Sequence, residues 1–228
     1  MGAYNGSFNP AGTEFFYTLD VPGANALAFT QLTAAGWSTP RYVPLTGTGD
    51  FYSSLTATGE IYFNTWSNGH LYRAIPGTNG YQLQELGGNL AHRSGQGDPF
   101  VAPDASYLIF RGYGEDSLGQ GDLFISFQRD GEWTPRQNLG PRINSPAQEM
   151  CPLVTPDGQY FVFASARLES PYPVSAGDPL DAVHRKFATP DNGNLNIYYL
   201  SADFIETLRA KALAGAGQAS GTPRESIR

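Results

Sequence analysis

Three histidines, His70, His92 and His184, are the residues of this chain best suited to holding a metal ion. Three imidazoles with one open position are the ligand set of a catalytic zinc site. A divalent metal held in this way lowers the pKa of a bound water, so that hydroxide forms near neutral pH. Glu149 is the carboxylate placed to act as general base toward that water, or as a fourth ligand. Arg93, beside His92, and Arg111 are cations suited to negative charge developing on a substrate, and Arg185 and Lys186 stand next to His184 in the same way. Cys151 is the single cysteine. On an unbroken strand it shares a face with Glu149, and reads either as a soft ligand or as a small buried apolar residue. Such a set suits hydrolysis of an activated ester: a phosphoester, an aryl ester or a lactone.

The elements that must position these residues are repeated hairpins. PLVTPDGQYFVFAS at Pro152–Ser165 has two aromatic, branched arms around Thr155-Pro156-Asp157-Gly158. Pro presets one turn position and Asp-Gly tolerates the left-handed one, so the stretch reads as a β-hairpin. Related stretches surround Pro10, Ala57 and Pro103; with Pro156 the intervals are 47, 46 and 53 residues. Repeats of ~40–50 residues with about four strands each are the signature of propeller blades. A third strand follows each hairpin, starting near Ala26, His70, Asp122 and Asn196, and an outer strand led by Trp37, Tyr81 or Trp133 follows three of them. Those aromatics read as outer-blade packing.

This register predicts blades over residues 3–45, 46–90, 91–140 and 141–201, then a helix over 203–214 with Asp203 and Glu206 forming a capping box. The tail 215–228 reads as disordered. The connection 166–195 in blade four is long and lacks a strand period; such loops are often functional. All three histidines fall on the loops of one propeller face. The sequence leaves alternatives open. The histidines are far apart, with no HxxxH-type spacing, and His70 aligns with Asp122 and Asn196, which would satisfy loop backbone. Asp50, Gln96 and Glu149 each stand seven residues before a hairpin position, where an acid would also tie neighbouring blades together by accepting backbone N–H bonds.

Composition narrows the classes. Charged residues are 15% and aromatics 13%, against roughly 25% charged in an average globular domain, which fits a turn-rich all-β chain. The net charge is −7 and no Lys/Arg cluster exists, so a nucleic-acid partner has no electrostatic footprint. No apolar run reaches the length of a membrane span. The opening residues MGAYNGSF lack a basic and an apolar signal region. The Gly-rich stretch 112–121 lacks the Lys-Ser/Thr of a phosphate-binding loop, and no G-x-S-x-G elbow is present.

APDASYLIF at Ala102–Phe110, TPDGQYFVF at Thr155–Phe163, the DLFISF and NIYYL strands and GEWTPRQNLG resemble the WD40-like PD40 repeat of TolB-type β-propellers. The resemblance covers roughly Ser7 to Leu208. It implies a propeller, an exported or periplasmic location, and binding of proteins or ligands. Such propellers usually have more than four blades, which implies closure here as a small ring, with further chain, or through a second copy in a homo-oligomer. Two readings follow: a metal-dependent hydrolase of a small-molecule ester, with zinc on His70, His92 and His184, or a non-catalytic propeller binding a protein, peptide or glycan.

Overall fold

Each repeat folds as the hairpin its turn residues dictate. The computed structural model describes residues 2–43, 45–46, 49–90, 95–168 and 175–215. Blade one comprises β1 (Ala3–Phe8), β2 (Glu14–Val21), β3 (Ala24–Thr33) and an outer strand in two pieces, β4 (Gly36–Trp37) and β5 (Arg41–Val43). Blade two is β6 (Asp50–Leu55), β7 (Ile61–Thr65), β8 (Leu71–Gly77) and β9 (Gly80–Glu85). Blade three is β10 (Gln96–Val101), β11 (Tyr107–Gly112), β12 (Asp122–Arg129), β13 (Glu132–Trp133) and β14 (Gln137–Asn138). Blade four has three strands, β15 (Glu149–Val154), β16 (Tyr160–Ser165) and β17 (Asn196–Ser201), and the helix α2 (Phe204–Gly215) follows them. The chain is therefore an all-β propeller of four blades with a C-terminal helix. The outer strands of blades one and three are broken around Pro40 and Pro135, which have no N–H to give to a ladder. The connection 166–195 contains a helix, α1 (Leu180–Phe187), and an isolated bridge from Leu168 to Asn192. Residues 216–228 of the expected tail, and His92 and Arg93, lie outside the described residues.

One turn departs from the repeat. The hairpin bonds Asn9 N to Glu14 O, Ala102 N to Tyr107 O and Thr155 N to Tyr160 O each span five positions, whereas Thr56 N to Glu60 O spans four. Blade two's turn is one residue shorter, so its second strand is displaced by one from the spacing the hairpin positions imply. A one-residue slip exchanges the two faces of a strand. In the true register Ile61 and Phe63 correspond to Leu108 and Phe110, and Tyr62 to Ile109.

With that correction every blade buries the same way. Phe16 and Leu27 of blade one pack on Leu55, Ile61 and Phe63 of blade two. Tyr62 and Leu71 pack on Val101, Leu108 and Phe110 of blade three. Ile109 and Ile125 pack on Val154, Phe161 and Phe163 of blade four. Among the described residues blade four has no outer strand, and α2 covers that last joint. Ile205 is buried in it, Arg209 lies 5.1 Å from the Phe127 ring centre, and Arg209 Nη2 donates to Ser106 Oγ at 3.2 Å.

Candidate binding site at the propeller axis

The innermost strand of each blade carries a β-bulge at one repeated position. Asn5, Tyr52, Asp98 and Cys151 all adopt positive φ, at 54°, 47°, 51° and 54°. The pairing registers of β1, β6, β10 and β15 shift beside them. Tyr and Cys rarely take this conformation, which costs of order 1–3 kcal/mol each and persists only where surroundings hold it. A bulge also re-aims its side chain. Glu149 and Cys151, expected on one face, are accordingly separated: the bulge breaks the alternation between them, and they reach different partners.

The bulge residues join three blades. Tyr52 and the Cys151 thiol face each other across blades two and four, and Cys151 N–H donates to Asp98 Oδ2 at 3.4 Å. Each bulge N–H needs an acceptor from the blade before it. Tyr52 N–H donates to Thr18 Oγ1 at 3.2 Å, and Asp98 N–H to Asn64 Oδ1 at 3.2 Å. In the corrected register the third residue of this series is Arg111, a donor-only group where blades one and two supply an acceptor. Asp98 takes over the accepting role, and the guanidinium is released from it.

Among the described residues Arg111 has a single long ion contact, Nε to Asp98 Oδ2 at 3.5 Å. Its Nε has no hydrogen-bond partner among the described residues. The guanidinium lies 5.8 Å from the Tyr113 ring centre, and over Gly97, where a Cβ would stand 3.1 Å from Nη2. Burial pushes the Asp98 carboxyl up, with Arg111 and the Cys151 N–H opposing. Burial, then the Asp98 charge, pushes the Cys151 thiol up to about 11. Burial pushes Tyr52 well up. Near neutral pH Cys151 is therefore a thiol, and Arg111, Asp98, Tyr52 and Cys151 form a polar cluster at the axis in which the Arg111 Nε–H finds no acceptor among the described residues.

The other candidate residues lie elsewhere. Glu149 is fully buried and accepts from Ser145 N–H at 2.9 Å, Ser145 Oγ at 2.6 Å and Ser165 Oγ at 2.6 Å. Asp50 does the same in blade two, accepting from Leu45 and Thr46 N–H. Both close the loop that carries the chain into their blade. His70 Nδ1 lies 2.8 Å from Glu85 Oε1, and Glu85 lines a 560 Å³ groove with Arg73, Asn89, Glu132 and Trp133. His184 sits on α1 and is exposed. His92 lies outside the described residues. Among the described residues no three His, Cys, Asp or Glu side chains are grouped to hold a metal ion. Asp122 gathers the Gly-rich loop, accepting from Leu118 and Gly119 N–H at 2.7 and 3.0 Å. A Cβ on Gly119 would stand 2.2 Å from the Ser145 carbonyl oxygen, so this glycine serves close packing between blades three and four.

TolB from Acinetobacter baumannii superposes with a TM-score of 0.51 at 17% identity, over 70% of this chain and 37% of that one. The chain has the TolB-type propeller fold. A putative TolB from Agrobacterium tumefaciens has a TM-score of 0.49 at 16% identity, over 69% of this chain and 56% of that one. The chain thus spans less than two thirds of the length of either. No protein-family model and no curated protein sequence matches it.

Proposed function

We propose that this chain is a binding propeller that receives a carboxylate-bearing segment of a protein or peptide partner at its axis, beside Arg111. The observation that carries this is the substitution of a donor-only cation for the acceptor used in blades one and two. A half-buried guanidinium with one 3.5 Å contact has spare donors in the planar fork that fits a carboxylate. Local rules are broken in this way at functional positions. Asp98 orients Arg111, and the Tyr52–Cys151 contact walls the site. An exported or periplasmic location belongs to the same proposal, from the TolB-type resemblance.

The test uses two peptides of one sequence, ending in a free carboxylate or in an amide, and follows alkylation of Cys151. The free-acid peptide slows alkylation and the amide does not. Equal rates with both peptides, up to millimolar concentration, overturn the reading. The hydrolase reading has its own test, since metal analysis and ester turnover of the purified protein and of a His70→Ala, His92→Ala, His184→Ala variant decide it independently of Arg111.

A further inference from the structure

Blades one and four each present a sheet face that the internal blades bury. In blade four the face that looks onward carries Leu153, Tyr160, Val162, Ala164, Ile197 and Tyr199. By register, Ile197 matches Leu27, Leu71 and Leu123, and Tyr199 matches Ile125. Leu123 and Ile125 are 0% exposed, whereas Ile197 is 79% and Tyr199 73% exposed. In blade one the face that looks backward carries Phe8, Phe15, Tyr17, Leu32, Trp37 and Tyr42. Phe15 and Tyr17 match Phe161 and Phe163, which are 0% and 3% exposed. Phe8 is 56% exposed where its counterpart Val154 is 7%. Among the described residues no strand of blade four packs along a strand of blade one.

We propose that a second copy of this chain completes the propeller, blade four of each copy packing on blade one of the other. The two free faces are the two halves of one blade joint, carried on the same chain in the register that the three internal joints use. Such a contact is heterologous, and two of them close a ring. A stable interface buries roughly 1,600 Å² in total. Four faces reach that at about 400 Å² each, the burial of two aromatic side chains at about 150–250 Å² apiece. The chain's own tail is a poor occupant, because residues 216–228 hold one large apolar residue, Ile227. This inference does not depend on Arg111.

Sedimentation of the full chain at tens of micromolar is the test, with two variants that change exposed residues only. Ile197→Asp with Tyr199→Asp blocks blade four, and Phe8→Asp with Tyr42→Asp blocks blade one. The unaltered chain sediments as a dimer and each variant alone as a monomer with an unchanged circular dichroism spectrum. Mixing the two variants restores a dimer, because one joint of the pair is then intact. A monomeric unaltered chain overturns the proposal. So does a blade-one variant that dimerises by itself, since that pairs blade four with blade four.

Discussion

At the scale of residues, chemistry here is decided by what each polar group already holds. Glu149 has the type of a general base, yet its carboxylate closes a loop through three hydrogen bonds. Glu149→Gln leaves buried donors without acceptors, at about 1–3 kcal/mol. Thermal unfolding of this variant is expected to shift down by several degrees. Cys151 gives a pH signature. Its unfolded thiol ionises at about 8.5, whereas the folded one ionises at about 11. Between those values the unfolded chain releases a proton that the folded chain keeps, so stability falls as pH rises through the window. The Cys151→Ala variant lacks this slope, and denaturant melts of both proteins at several pH values measure it. Arg111 was legible in the sequence as a cation on the histidine-bearing face, suited to negative charge on a substrate. Its role was not, because it depends on a comparison with Thr18 and Asn64 that only the correct strand register allows.

At the scale of elements, the hairpins were legible because turn chemistry and aromatic arms recur together. Blade two hid its slip for a physical reason. Ile61–Thr65 is buried on both faces, so no alternation marks which side is which, and Ala57 replaces the turn proline. The bulges hid as well, since Tyr52 and Cys151 are not residues that announce positive φ, and Asn5 and Asp98, which tolerate it, stand inside strands rather than at turns. The helix after blade four was expected from its capping pattern, but its burial partner, the edge of blade three, was not. Because α2 replaces an outer strand, Ile205→Ala opens the joint between blades three and four. A loss of about 2–4 kcal/mol is expected, and hydrogen exchange should show β16 and β17 losing protection before blade two does.

At the scale of the molecule, four blades pack in series and leave both ends of the series apolar. The arc follows from the repeat, and was legible in the spacing of Pro10, Pro103 and Pro156. The open ends were not, because a sequence repeat shows that blades share a pattern without showing whether the first meets the last. The arc also gathers residues from three blades at the axis, and Arg111 is the cation among them. Calorimetric titration of the free-acid peptide into the unaltered protein and into Arg111→Gln tests its role most directly. Binding is expected to weaken by about ten- to hundred-fold in the variant, the 1.5–3 kcal/mol of a hydrogen bond to a charged group, and the difference to vanish with the amidated peptide. Equal affinities of the two proteins for the free-acid peptide would contradict it.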